Sequence, residues 1–169
     1  MEKEDFYEIV RKITKLILTH QQKMVREEDL RNLCEGYNFD RIINEVYINL
    51  RNVGLELITT KFLDQNYFVL TSEGKDDNIT PSQYGTLALI LALSKEVDEN
   101  MKLSDLKDIF SEVWTTDIEF LIEKDYLRKI NVEDLEIVKI TPLGKATLKN
   151  IIENLQLKNL LNIFNDIKS

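Results

Sequence analysis

The 169-residue chain sets 22 Lys and Arg against 30 Asp and Glu, a net charge of −8, with 43% apolar and 31% charged residues. That balance fits an ordinary folded protein rather than a disordered or membrane-embedded one. A lone cysteine, Cys34, excludes an internal disulfide and a cysteine-based metal cluster, and a lone histidine, His20, excludes a multi-histidine metal site.

The acidity is spread evenly: 11 basic and 15 acidic residues lie up to Asn78, and the same numbers lie after it. Such a surface repels phosphate backbones at long range. The longest apolar run, Tyr84 to Leu93, is about half of the ~20 residues that a membrane span needs. The opening MEKEDFYEIV has acids where a secretory signal has a basic region. The expectation is a soluble, cytoplasmic protein.

In chain order, Phe6, Ile9, Val10, Ile13, Leu16 and Ile17 recur at three- and four-residue steps, which predicts a helix over 5–20. A second helix is predicted over 26–34, with acids in its first turn and Gly36 as its stop. Cys34 reads there as a buried small hydrophobe near Leu30 and Leu33. A third helix over 40–53 turns Ile42, Ile43, Val46, Tyr47 and Leu50 inward and ends at Gly54. Then a hairpin occupies the stretch Gly54 to Ser72, turning at Asp64-Gln65-Asn66.

The second half repeats that order. Thr80-Pro81-Ser82-Gln83 is a capping box with proline at the first helical position, and its helix is predicted to reach Lys95. Ser104 is read as the cap of a short second helix. Thr116-Asp117-Ile118-Glu119 is read as a capping box opening a third. A second hairpin follows, 128–132 and 137–141, joined through Glu133-Asp134-Leu135-Glu136, with Ile130 and Val132 on its apolar face. Thr141-Pro142 then starts a C-terminal helix.

Helix, helix, helix, hairpin, occurring twice, is the order of a tandem winged helix. The predicted fold is mostly α with small β-hairpins, in domains 1–78 and 79–149, followed by an amphipathic helical tail, 150–169. Only Glu73 to Asn78 separates the two halves.

Winged helices often read DNA through the third helix, but the charges oppose that here. Arg41 and Arg51 are balanced by Asp40 and Glu45. Lys124 is outnumbered by Asp117, Glu119, Glu123 and Asp125, and the second hairpin tip is acidic. Arg11, Lys12 and Lys15 form a small basic face, read as solvated.

Apolar pattern directs attention to proteins instead. In the first hairpin Leu55 and Leu57 take one face, Ile58 and Phe62 the other, and Tyr67 to Leu70 is apolar on both. Two-sided burial needs a cover, from the other half of the chain or from another subunit. The helix at Tyr84–Leu93 is apolar nearly all round, as an enclosed helix is. In the tail the inward spacing breaks after Leu155 and restarts as Leu157, Leu160, Leu161, Phe164 and Ile167, packing either on its own domain or on a partner.

Catalytic chemistry finds little to work with. His20, at a helix end, reads as a dipole-favoured cap. Gly144-Lys145-Ala146 lacks the glycine and the hydroxyl of a phosphate-binding loop. The chain is expected to be no enzyme, with no cofactor and no metal.

The run Gly54-Leu55-Glu56-Leu57, then Tyr67-Phe68-Val69-Leu70, the apolar helix Leu87 to Leu93, Leu103-Ser104-Asp105-Leu106, and Ile118 to Leu127 resembles the kleisin-interacting tandem winged-helix (KITE) family. That family includes ScpB-like condensin subunits and MAGE-type subunits of SMC complexes. Asn100-Met101-Lys102-Leu103 departs from the ScpB pattern, which carries a proline there. The resemblance implies a non-enzymatic subunit that dimerises and grips the kleisin chain of an SMC ATPase in chromosome segregation and condensation. Candidate contacts are Ile58, Phe62, Phe68 and Leu70 in the first hairpin, Trp114, and Leu157, Leu160, Leu161 and Phe164 in the tail. Thr141-Pro142-Leu143-Gly144-Lys145-Ala146 also resembles the turn that leaves the hairpin in winged-helix regulators. A dimeric DNA-binding transcription regulator is therefore the rival reading, and a MAGE-like ubiquitin-ligase adaptor a third.

Overall fold

The computed structural model describes residues 2–72 and 78–149, and the chain divides into two compact units, Met1–Asp76 and Asp77–Ser169. Most of the linker read at Glu73–Asn78, and the whole tail read at 150–169, lie outside the described residues. The architecture is mixed α and β, with two three-stranded antiparallel sheets. No helix among the described residues is long and apolar enough to cross a membrane.

The first unit opens with α1 (Glu2–Thr19), whose Val10, Ile13 and Ile17 are buried at the expected spacing. A strand absent from the sequence reading follows, β1 (Met24–Arg26), and leads straight into α2 (Glu27–Leu33). Next comes α3 (Phe39–Arg51), where the Asn38 side chain accepts from the Arg41 backbone N–H at 2.9 Å and caps the first turn. Gly54, at φ +76, lets the chain reverse after α3, with its N–H donating to the Arg51 carbonyl. The hairpin is β2 (Leu55–Phe62) and β3 (Gln65–Ser72). Its turn is Leu63-Asp64, both at positive φ (+48 and +62), the backbone of a two-residue type I′ loop. The turn read at Asp64-Gln65-Asn66 therefore falls earlier, and β3 already begins at Gln65.

Sheet order is β1-β3-β2. Cross-strand partners share a face, so register decides what points inward. Leu57 pairs with Leu70, and together with Phe68 they face the cluster of Ile13, Ile17, Leu30, Ile42 and Val46. On the other face Val69 pairs with Met24 on one side and Ile58 on the other. Phe68 (7% exposed) and its neighbour Val69 (0%) are both buried, so two-sided burial of this hairpin is real.

The second unit repeats the order. In α4 (Pro81–Glu96) the capping box is complete: Thr80 accepts from the Gln83 N–H, while the Gln83 side chain accepts from the Thr80 N–H at 3.0 Å. Leu87, Ile90 and Leu91 and the small Ala88 and Ala92 are all buried, so the helix is enclosed on most sides. A short β4 (Met101–Lys102) enters α5 (Leu103–Ile109) without a side-chain cap. Ser104 therefore lies inside α5, not ahead of it. Pairing of Met101 with Val138 holds the chain extended up to Lys102 and fixes where the helix starts.

The third helical segment also departs from expectation. After a 3₁₀ turn (Ser111–Val113) the chain makes a π-helical turn (Trp114–Ile118), which continues as α6 (Glu119–Glu123). No capping box forms, and the Thr116 hydroxyl instead donates back to the Val113 carbonyl. The second hairpin comprises β5 (Leu127–Val132) and β6 (Leu135–Ile140), joined by Glu133-Asp134 alone, in a sheet ordered β4-β6-β5. Because β5 begins at Leu127, the core face takes Leu127, Val138 and Ile140. Ile130 and Val132, read as the apolar face, lie with their partners Ile137 and Leu135 on the face opposite that core. Finally α7 (Pro142–Thr147) starts as read: Thr141 is fully buried, and its hydroxyl accepts from the Gly144 N–H at 3.1 Å.

Candidate functional site

The surfaces in question are the third helical segments and the hairpins. In the first unit, the Arg41 guanidinium lies 4.8 Å from the centre of the Phe6 ring, so one of the two arginines of α3 is stacked against its own unit. In the second unit the cations beside α6 are already engaged. Lys124 pairs with Glu123 at 3.0 Å, and Arg128 grips Asp125 in a two-pronged contact of 3.0 and 2.6 Å. Asp117, counted above as a surface acid, is only 2% exposed. It accepts from the hydroxyls of Ser82 and Thr86, at 2.8 and 2.7 Å.

That carboxylate is the main polar feature the sequence reading missed. Gln83 adds a further tie, its amide donating to the Thr116 carbonyl at 3.0 Å. Together these bonds pin the π-helical turn to the start of α4. A signal was present in two hydroxyls four residues apart on an apolar helix, which share one face and can meet a single polar partner.

The hairpin residues singled out as contacts do not form one surface. Phe68 is buried and Leu70 half-buried, both on the sheet face that packs against their own core. Phe62 is 4% exposed and meets the Tyr67 ring edge-on at 6.3 Å. Ile58 is half-buried on the opposite face of the sheet, beside Val69. Trp114 is half-buried against the second core, its Nε1 donating to Glu119 at 3.2 Å and the Lys107 amine 5.4 Å from its ring centre. Leu157, Leu160, Leu161 and Phe164 lie outside the described residues.

The reactive groups that stand out are Cys34, Lys145 and His20. Cys34 is buried, and burial pushes its thiol above the ordinary range against a smaller opposing effect of Arg31. Burial also lowers the Lys145 amine, with Glu99 opposing and Lys139 and Lys95 reinforcing the shift. His20 directly follows the last residue of α1, at the helix end where it was expected, and its Nδ1 is enclosed with no hydrogen-bond partner among the described residues. Among those residues no cluster of three His, Cys, Asp or Glu side chains is arranged to hold a metal.

Acidic and apolar groups meet at the second hairpin tip. Glu133, Asp134 and Glu136 are exposed around Val132 and Leu135, which are themselves 48% and 53% exposed. No protein-family model matches the chain, and no curated protein matches it.

Proposed function

We propose that the chain is a non-enzymatic interaction subunit of an SMC–kleisin complex, cytoplasmic and chromosome-associated, which binds the kleisin through tandem winged helices and forms a homodimer or KITE-type dimer. The observation that carries this reading is the duplicated order of helix, short strand, helix, helical segment and hairpin. Two further features support it. The cations beside α6 are bound to neighbouring acids, which leaves little to neutralise a phosphate backbone. Apolar residues also occupy both faces of each hairpin, as suits units that bury surface against other protein.

Co-purification of the tagged chain from its native cells, followed by mass spectrometry, tests the proposal. Recovery of an SMC ATPase with its bridging chain is the expected result. Absence of both, together with tight sequence-specific duplex binding and a steep salt dependence, would replace it with the transcription-regulator reading.

A further inference from the structure

Two exposed surfaces of this chain have opposite character. The first is a groove between α1 and α3, floored by Val10 and lined by Tyr7, Arg11, Lys15, Leu18 and Asn49. Tyr7 and Leu18 are 49% and 48% exposed, an unusual display for one helix face. Arg11 and Lys15 are the charged residues in the lining of this groove, and with Tyr7 they also border a neighbouring cavity that Glu4, Asp5 and Glu8 share. Neither Arg11 nor Lys15 takes part in an ion pair among the described residues.

The second surface is the tip of the β5–β6 hairpin. Its outward face carries the pairs Ile130–Ile137 and Val132–Leu135, an apolar ladder that runs to the turn. Glu133, Asp134 and Glu136 surround the exposed end of that ladder, and none of them is in an ion pair among the described residues. The tip is thus apolar ringed by anions, and the groove is apolar with two cations in its lining.

We propose that the second hairpin tip of one copy of this chain docks in the α1–α3 groove of a second copy. Val132 and Leu135 lie against Tyr7 and Leu18, while Glu133, Asp134 and Glu136 face Arg11 and Lys15. Complementary charge selects this occupant over an arbitrary apolar partner and speeds the encounter. The two patches differ, so the contact is head-to-tail, each copy offering one tip and one groove. A hairpin tip offers a small area, so the association is weak and is weakened further by salt. This proposal stands independently of the kleisin reading, because its test uses the purified chain alone.

Sedimentation velocity of the full chain over about 5 to 500 μM, at low and high salt, provides the measurement. The expected result is a mass that rises with concentration and falls back with salt. Arg11→Glu/Lys15→Glu in the groove, or Glu133→Lys/Asp134→Lys/Glu136→Lys at the tip, each weakens association about tenfold or more. An equimolar mixture of the two variants recovers it, through one native and one charge-swapped contact. All five positions are exposed, so the far-UV circular dichroism of both variants stays that of the parent. A parent that remains monomeric throughout overturns the proposal, as do variants that associate like the parent or a mixture that fails to recover.

Discussion

The Thr86 hydroxyl donates to the Asp117 carboxylate at 2.7 Å, joining residues 31 apart in sequence inside the second unit. Ser82 reaches the same oxygen at 2.8 Å, so one carboxylate satisfies two hydroxyls of α4. Asp117→Ala strands both donors, in a place where an unmade hydrogen bond costs about 1–3 kcal/mol. Asp117→Asn keeps an acceptor and costs less. Urea titration followed by the fluorescence of Trp114, the only tryptophan, reads the loss from the second unit.

Gly144 has a steric rather than conformational reason to be glycine. A Cβ built there would lie 2.4 Å from the Tyr126 carbonyl oxygen and 2.8 Å from Ile140 Cγ2. The carbonyl is main chain and cannot swing aside. Gly144→Ala should destabilise the second unit by about 2–3 kcal/mol, whereas Gly36→Ala is governed by its φ of +87, with nothing within 4 Å of the new methyl. Comparing the two by thermal melting separates close packing from backbone strain.

Leu63 and Asp64 occupy left-handed positions that asparagine and glycine adopt more easily, and Leu63 is also 54% exposed. Replacing the pair with Asn-Gly should stabilise the first unit by about 1 kcal/mol. A higher melting temperature in circular dichroism is the expected readout, and no change would mean the turn carries no strain.

Cys34 reports on the same unit. At 2% exposure it should react with a thiol reagent far more slowly in the native protein than in urea, at a rate set by opening of the fold. Its folded thiol titrates above the ordinary value of 9.0, chiefly through burial. The stability linked to it is therefore fully present below the unfolded value and is lost as pH rises through the folded one. Cys34→Val should flatten the alkaline limb of the stability profile.

What could be read from the sequence was whatever is fixed locally. The Thr80 capping box and the Thr141-Pro142 helix start depend on residues three or four apart, and both form as read. β1 and β4 could not be read that way, since two or three residues carry no periodicity and exist only through pairing with β3 and β6. The π-helical turn was hidden for a similar reason, its acid being drawn inward by hydroxyls on a distant helix. Ile130 shows how phase is lost. Alternation identified the strand correctly, but a start at Leu127 reversed which face meets the core. Among the candidate contacts, Phe68 could be recognised as apolar but not as interior, because burial depends on cross-strand register.

In each sheet the strand made last is the one in the middle. A nascent chain that has emerged only through Phe62 holds β1 and β2 with nothing to join them, and the second sheet is in the same position until β6 follows β5. Each unit therefore waits for its closing strand before its sheet can assemble, and a ribosome stalled before either hairpin returns would present apolar strands with no partner.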